Sequence, residues 1–345
     1  MISLITRLLK RRASKVCTLG ILSLFYANSA CSVDFDKFSA FIASKKYVEA
    51  LDWLNHLQES SPTDPNIISS KGFTLLLMRE YQSALREIDQ GLQSSNQIDL
   101  VYDKASILSA MGKHKKAIDV CNSLLNSDKN KDKIYPEYQL EDPNYFLCFP
   151  LIIGSFIELK SPEKALPYAD TLISRFGNNS GNVEFRIITL IEMAEYQKAL
   201  AEIESALSLS SIKDTSLLAY LYTLRAKVYR ITDKLRKSQS AIQTALRIAK
   251  DTQDRSSFND AYTELGYIFL AEGNEAKAMS SFNHAIDVFG DDAYIAYLER
   301  GKLRQKMNKV QLAISDYQKV LNATFFGNRH HQEAKELLDK MLNNQ

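Results

Sequence analysis

The sequence predicts an all-α fold: a right-handed superhelix, or α-solenoid, of about eight helix-turn-helix units with a C-terminal capping helix. Two observations carry this prediction. The segment EYQSALREIDQGL at residues 80–92 returns as EYQKALAEIESAL at 195–207, with eight of thirteen positions identical. Apolar residues also recur at spacings of three and four on both sides of short polar turns such as MREY and MAEY. Such self-similarity indicates a repeat array whose units bury their apolar faces against each other.

One small residue recurs at the equivalent position of every repeated segment, and the spacing of these ladder residues sets the length of the unit. Their successive gaps are 34, 33, 48, 34, 39, 40 and 35 residues, so a 34-residue unit fits if the longer gaps carry insertions of 14, 5 and 6 residues. Other small residues often stand twelve positions before and seven positions after the ladder residue, where they let neighbouring helices approach closely. The ladder residues are Ala50, Ala84, Ala117, Ala165, Ala199, Ser238, Ala278 and Ala313.

The units resemble the tetratricopeptide repeat, most clearly in YTELGYIFLAEGNEAKAMSSFNHAI at residues 262–286 and YLERGKLRQKMNKVQLAISDYQKVL at 297–321. The resemblance covers roughly residues 34–327 and implies two helices in each unit. It also implies that peptides or whole proteins bind in a concave groove formed by the first helix of every unit.

The chain is expected to have three segments. Residues 1–30 form a targeting segment, 31–327 the repeat array and 328–345 a capping helix, with an insertion at 128–145 inside the array. The insertion is charged and holds two prolines, so we expect a surface loop or, alternatively, a binding loop. A final helix with one apolar and one polar face suits the end of a stack. Its apolar residues are Ala334, Leu337, Leu338 and Met341.

Three units depart from the common pattern. Phe38 and Ile153 occupy the small-residue position twelve before the ladder in the first and fourth units, so distorted helix pairs are expected there. In the sixth unit the apolar spacing continues through SAIQTALRIAKDTQD. This predicts a longer second helix in that unit.

The first 30 residues have the order of an export signal. A basic stretch at residues 7–15 precedes an apolar run at 16–26 and the small-residue series ANSA at 27–30. The apolar run is shorter than the roughly 20 residues of a bilayer span. Cleavage between residues 27 and 31 and export to the periplasm are therefore expected. An uncleaved signal anchor, an organellar presequence and an ordinary N-terminal helix remain as alternatives.

Cys31 follows Ser29 and Ala30 directly, an arrangement that resembles the lipobox of bacterial lipoproteins, in which a small residue precedes the acylated cysteine. Asn28 stands where that motif has Leu or another aliphatic residue. Lipidation of Cys31 would anchor the protein, whereas plain cleavage near Ala30 would leave it free. Membrane attachment is expected only through a lipidated Cys31 or an uncleaved signal.

The charge balance does not favour a nucleic-acid partner. The formal charge of +2 includes five basic and no acidic residues in the first 30 positions; without them 38 basic residues face 41 acidic ones, a net charge of about −3. A protein near neutrality lacks a broad electrostatic attraction for nucleic acid. A protein or peptide partner is expected instead.

No catalytic, cofactor-binding or metal-binding residue is predicted. The sequence has no Gly-rich phosphate loop and no G-x-S-x-G elbow. Its five histidines lack a second ligand at a spacing that builds a metal site on one helix. His114 replaces the turn aromatic of its unit and is interpreted as structural. The adjacent His330 and His331 are either metal ligands or a solvated connector to the cap, and the connector is favoured.

Cys121 and Cys148 lie on predicted helices that flank the insertion. One interpretation is two buried thiols that act as small apolar side chains. The other is a disulfide that closes the loop in an oxidising compartment.

A basic residue recurs one position before the small residue of the first helix. A regular basic stripe could bind phosphate groups. In similar repeats the aliphatic stems of such residues cover neighbouring apolar surface, and this structural interpretation is favoured. The five residues are Lys71, Lys104, Arg186, Arg225 and Arg300.

The predicted partner-binding groove is made of the first-helix positions that similar repeats turn inward. These positions are apolar in the second and fifth units and basic with an aromatic further on. We expect an amphipathic segment there, with its apolar face toward units two to five and an acidic end toward units six and seven. Packing of each apolar residue against the next unit is the alternative. The residues are Phe73, Leu76, Leu77, Phe185, Ile188, Ile191, Lys227, Arg230 and Tyr267.

The predicted function is a protein-interaction scaffold in the cell envelope that binds a peptide or protein partner in the groove. One alternative is a membrane-anchored lipoprotein that acts as an assembly or regulatory factor for an envelope machine or a cell-wall enzyme. A second alternative is an enzyme module or the regulatory subunit of an enzyme.

Overall fold

The computed structural model describes residues 33–94, 98–126, 143–177, 180–208 and 215–343. Within these ranges the chain forms seventeen α-helices, one short 3-10 helix and no β-strand. Sixteen α-helices pair in chain order into eight helix-turn-helix repeats, and the last helix stands alone at the C-terminal end. The prediction of an all-α array of eight repeats with a C-terminal capping helix is confirmed. The targeting segment, Cys31 and residues 128–142 of the insertion lie outside the described residues.

The chain divides into two compact units. The N-terminal unit, Met1–Gly177, holds repeats 1 to 4, and the C-terminal unit, Asn178–Gln345, holds repeats 5 to 8 and the last helix. In the N-terminal unit the repeats are α1 (Phe35–Ala43) with α2 (Tyr47–Ser60), α3 (Pro65–Leu77) with α4 (Tyr81–Ser94), α5 (Ile98–Ala110) with α6 (His114–Leu125), and α7 (Pro143–Glu158) with α8 (Pro162–Phe176).

The C-terminal unit continues the same order of helix pairs. The repeats are α9 (Ser180–Glu192) with α10 (Tyr196–Ser208), α11 (Thr215–Ile231) with α12 (Leu235–Thr252), α13 (Arg255–Ala271) with α14 (Glu275–Phe289), and α15 (Tyr294–Lys306) with α16 (Val310–Ala323), followed by the single helix α17 (Arg329–Asn343). The second helix of repeat 6, α12, has 18 residues. Other second helices have 12 to 15 residues, so the predicted longer helix is confirmed.

A residue in the left-handed conformation ends the first helix of each described repeat. In the first repeat Lys45 has φ 56°, its N–H bonds to the Ile42 carbonyl at 3.0 Å, and the N–H of Lys46 bonds to the Phe41 carbonyl at 2.9 Å. This Schellman arrangement satisfies carbonyls that the helix end would otherwise leave unpaired. The equivalent residues, each five before a ladder residue, are Lys45, Arg79, Gly112, Lys160, Ala194, Asp233, Gly273 and Asn308.

The ladder residues form the contact between the two helices of each repeat. All eight are fully buried, as the predicted register requires. Ser238 is the one polar member of the ladder, and its hydroxyl donates to the Ala226 carbonyl of the partner helix at 2.8 Å. A small side chain at this position lets the helix backbones approach closely.

Residue sizes are complementary across the helix pairs of repeats 7 and 8. In repeat 7, Gly266 on α13 lies against Phe282 on α14. In repeat 8, Gly301 on α15 lies against Tyr317 on α16 in the same way. Where the first helix carries a large residue instead, such as Phe38, it packs with smaller aliphatic residues of repeats 1 and 2 such as Leu54. The first-helix residue and the residue that it faces fill the space between the helices together. Their combined volume therefore matters more for close packing of the core than the identity of either residue.

The capping helix α17 packs on the last repeat. Ala334, Leu338 and Met341 are buried in one cluster with Tyr317 and Val320 of α16, and Leu337 packs against that cluster. The apolar face of this helix therefore covers the end of the stack, as predicted.

Candidate functional site

Within the N-terminal unit the predicted groove residues lie on the second half of α3. Leu76 is buried, whereas Phe73 and Leu77 are half-buried. Phe73 packs against the core of repeats 1 and 2. Of these three residues, only Phe73 and Leu77 keep part of the side chain exposed for a partner.

Within the C-terminal unit two of the three apolar groove residues are core residues. Phe185 is 1% exposed and Ile191 is 5% exposed, while Ile188 is half-buried. The expectation that Leu76, Phe185 and Ile191 contact an amphipathic partner stays a prediction, and their burial argues against it. Their burial favours the alternative interpretation, in which each apolar residue packs against the next repeat.

The three polar groove residues lie together, and their charges are already balanced. The Arg230 guanidinium on α11 donates to both carboxylate oxygens of Glu264 on α13, at 2.6 and 3.3 Å. It also lies over the Tyr267 ring, 5.0 Å from its centroid. The Tyr267 hydroxyl donates to Glu299 on α15 at 3.1 Å. The ammonium of Lys227 on α11 lies 3.9 Å from Glu192 on α9.

These contacts continue into a closed circuit of first helices and the cap. Lys302 on α15 pairs with Glu299 at 2.9 Å and with Glu333 on α17 at 2.6 Å. Arg329 on α17 then donates to both oxygens of Glu192 on α9, at 3.1 and 3.2 Å. Each of α9, α11, α13, α15 and α17 is thus joined to the next, and α17 is joined back to α9. We call this set the polar ring: Glu192, Lys227, Arg230, Glu264, Tyr267, Glu299, Lys302, Arg329 and Glu333.

Two carboxylates of the polar ring differ in how they bind protons. Burial favours a raised pKa for Glu192, but the hydrogen bonds and charge of Arg329, with the charge of Lys227, outweigh burial and lower it. Burial raises the pKa of Glu264, although Arg230 opposes the rise. As the pH falls, Glu264 is protonated before Glu192. The link between α11 and α13 is therefore more sensitive to acid than the link between α9 and α17.

The predicted basic stripe consists of ion pairs between helices. Where an acidic residue stands sixteen positions later, the pair forms within the repeat: Lys71 with Glu87 at 3.1 Å, Arg186 with Glu202 at 2.6 Å and Arg300 with Asp316 at 2.7 Å. Where that position is apolar, the side chain turns to the preceding repeat: Lys104 to Asp89 at 2.7 Å and Arg225 to Glu204 at 3.4 Å. These contacts favour the structural interpretation of the stripe over phosphate binding.

The cysteines and histidines have structural positions. Cys121 on α6 and Cys148 on α7 are buried in one core cluster and no disulfide joins them, which favours the interpretation as small apolar side chains. His114 is buried and lies 3.4 Å from the Ser109 hydroxyl. His331 is buried in the first turn of α17, so the favoured solvated connector is corrected to the start of a packed helix.

Two properties bear on metals and membranes. Across the described ranges no group of three metal-ligating side chains lies together. No helix among the described residues has the length and apolar character needed to span a bilayer.

Sequence reasoning missed the acidic members of the polar ring, although a signal for them exists. Glu264 follows Arg230 by 34 residues, and Glu192 precedes Lys227 by 35. These separations are about one repeat length, which is the distance along the chain between equivalent positions on neighbouring first helices. A search for opposite charges one repeat apart would have found both pairs.

Comparison with known proteins gives one family and several distant structural relatives. The tetratricopeptide repeat model matches residues 260–292, which include most of repeat 7. A tetratricopeptide repeat protein from Parabacteroides merdae is 16% identical with a TM-score of 0.45, covering 89% of this chain and 96% of that one. The C-terminal part of such a protein from Cytophaga hutchinsonii is 14% identical with a TM-score of 0.46, covering 76% and 99%. No curated protein matches the sequence.

The rest of the array has the same register as repeat 7, the repeat that the family model matches. Repeat 7 has a buried ladder residue, Ala278, and a left-handed turn residue, Gly273, five positions before it. The other seven helix pairs have the same two features at the same separation. Repeat 7 is therefore similar to the tetratricopeptide repeat, and the other seven helix pairs share its register.

Proposed function

We propose that the chain is a non-enzymatic scaffold in the cell envelope that binds a peptide or protein partner on the first-helix face of its C-terminal unit. The polar ring carries the proposal. Side chains from five helices meet there, so a partner lying on this face would contact several repeats at once. Lys227 and Lys302 keep about a third of their side chains exposed, 34% each, while they hold their acidic partners. These two lysines offer hydrogen-bond donors to a partner without breaking the ring.

Site-specific photo-crosslinking in cells tests the binding face. A photoreactive residue at Lys302 should capture a partner, because this side chain lies on the first-helix face. The matched position is Lys250, an exposed lysine on the second helix α12. A partner captured from position 302 should lose affinity for purified chain carrying Lys302→Ala. Capture from position 250 alone would place binding on the second-helix face and contradict the proposal.

The envelope location rests on the order of residues 1–30, with its basic, apolar and small segments. Mass spectrometry of the protein isolated from cells tests it, and the expected mature chain begins between residues 28 and 31. A chain that still begins with Met1 would contradict cleavage and favour an uncleaved anchor. Incorporation of labelled palmitate that is lost in Cys31→Ser would favour the lipoprotein alternative.

A further inference from the structure

Three exposed cations occupy the start of α12, the second helix of repeat 6. Lys234 is the N-cap residue, and Arg236 and Lys237 lie in the first turn. All three side chains are exposed, and none forms an ion pair with a described residue. With the carboxylate of Asp233 directly before them, the three cations leave this turn a net charge of +2. We call Lys234, Arg236 and Lys237 the basic cluster.

The position of the basic cluster works against the helix that carries it. The N-terminal end of a helix has a partial positive charge and favours acidic side chains, but α12 has no acidic residue in its first turn and no side-chain cap. In contrast, the first-helix cations Arg225, Lys227 and Arg230 of the same repeat each pair with a carboxylate, at 3.4, 3.9 and 2.6 Å. An arrangement that opposes its own helix and has no balancing carboxylate in the described chain points to an anionic group of a partner.

Repeat 3 has cations at the same three positions, which lie four, two and one residues before the ladder residue. They are Lys113, Lys115 and Lys116, and all are exposed. None of the other six repeats has more than one cation at these positions. The two sets differ in the apolar surface beside them. Ile231, three residues before the basic cluster, is 39% exposed, whereas the equivalent Ala110 of repeat 3 is buried.

An aromatic contact also distinguishes repeat 6. The ammonium of Lys237 lies 5.8 Å from the centroid of the Tyr229 ring, and the Arg225 guanidinium lies 5.5 Å from the same centroid. Cations within about 6 Å of an aromatic ring are attracted to its face. Lys237 is therefore partly ordered before a partner binds, which lowers the entropy that binding costs. Leu108 occupies the position of Tyr229 in repeat 3, so the cations there lack this contact.

We propose that the basic cluster, with Ile231, is a docking surface for an acidic segment of the protein partner. This rests on the proposed function, because the basic cluster begins four residues after Arg230 of the polar ring. A segment with neighbouring Asp or Glu residues and one apolar residue complements the three cations and the exposed Ile231. The acidic end of the partner is thus expected here, and not at Lys227 and Arg230, whose charges carboxylates of the chain already balance.

A displayed library of random peptides, panned against the full chain, provides the probes. We expect the enriched peptides to carry neighbouring Asp or Glu residues beside an apolar residue. Fluorescence polarisation then measures the affinity of an enriched peptide for the unchanged chain and for a repeat 6 variant that combines Lys234→Gln, Arg236→Gln and Lys237→Gln. Each exposed ion pair strengthens binding by up to about fivefold, so losing three should weaken binding about tenfold or more.

The matched control removes the same charge from repeat 3. A variant that combines Lys113→Gln, Lys115→Gln and Lys116→Gln should keep the affinity of the unchanged chain, because repeat 3 lacks the exposed apolar residue and the aromatic contact. Ile231→Ser leaves every charge in place and should weaken binding of the same peptide. Circular dichroism confirms that each variant is folded; if the repeat 6 variant unfolds, Arg236→Gln alone and Ile231→Ser decide the matter.

The outcomes separate this proposal from the general one. Equal losses in the repeat 6 and repeat 3 variants would show unspecific charge attraction and overturn the docking surface. Peptides that are weakened by Lys302→Ala but not by the repeat 6 variant would also overturn it, while the scaffold function stands. A library that yields no binding peptide would overturn both. If acidic peptides do not bind and the full chain sediments with phosphatidylglycerol vesicles only while the basic cluster is intact, the occupant is a membrane surface and the proposal is wrong.

Discussion

Gly266 on α13 provides a sharp test of how the helix pairs pack. A Cβ atom added to Gly266 would lie 2.3 Å from Cε1, 2.7 Å from Cζ and 2.8 Å from Cδ1 of Phe282. The Phe282 ring is fully buried and makes an edge contact with Tyr267, with 6.0 Å between the ring centroids. Carbon atoms in contact normally lie about 3.5–4.0 Å apart. The change Gly266→Ala therefore forces the ring or the helix to move by about 1 Å.

Two opposing effects set the magnitude of this change. Overpacking a core typically costs about 1–3 kcal/mol, and a fully buried ring has little room to move. Alanine inside a helix is favoured over glycine by about 1 kcal/mol. We therefore expect Gly266→Ala to destabilise the chain by up to about 2 kcal/mol, the difference between these effects. In a Phe282→Leu background the ring is gone, and the same change should be neutral or stabilising by up to about 1 kcal/mol.

Urea unfolding of four proteins, followed by circular dichroism, measures this double-mutant cycle. The unchanged chain, both single variants and the double variant should give a coupling energy of about 1–3 kcal/mol, because the two residues are in direct contact. The decisive observation is the change of sign of Gly266→Ala between the two backgrounds. An increase in stability on Gly266→Ala in the unchanged chain would refute the tight contact with Phe282.

Three further predictions concern stability. Ala194 is left-handed with φ 59°, so Ala194→Gly should stabilise by about 0.5–1 kcal/mol in urea unfolding, because the left-handed conformation strains a residue with a Cβ. Ala199→Leu should lower the melting temperature more than Lys198→Leu, since Ala199 is fully buried and Lys198 is exposed; equal melting temperatures would contradict the register. Burial raises the pKa of Asp103 to about 7, so the folded state keeps a proton that the unfolded state releases near pH 4, and stability should fall by about 1 kcal/mol per unit as the pH rises from about 4 to about 7. Asp103→Asn should remove that slope.

The register was predictable because it depends on residues that a helix pair constrains sterically. A ladder residue such as Ala199 meets the backbone of its partner helix, so only small side chains fit and the pattern is visible in one sequence. The position twelve before it is less constrained, because a large residue there can be matched by the residue it faces. Ile187 and Ile203 of repeat 5 are both fully buried. Distorted helix pairs at such positions stay a prediction.

The candidate site was harder to predict, because the exposure of a first-helix residue depends on neighbours a repeat away. Phe185 and Ile188 are three residues apart and share a face of α9, yet the first is 1% exposed and the second is half-buried. Likewise, the sequence of α11 alone shows Arg230 as an unpaired cation, whereas in the folded chain Glu264 on α13 balances its charge. Periodicity within one repeat predicts which face a side chain occupies. It does not predict what the next helix places there.

The polar ring has unequal links, and this inequality decides where a partner can enter. The Arg230–Glu264 pair is mostly buried, with side chains 19% and 7% exposed, whereas the Arg329–Glu192 pair is 46% and 22% exposed. Partly exposed pairs contribute about 0–1 kcal/mol and are weakened by salt. Because Arg329 lowers the pKa of Glu192, mild acid leaves this link intact while salt weakens it. Salt therefore opens the link between α17 and α9 more readily than the link between α11 and α13, and a binding partner competes there for the cost of one weak ion pair.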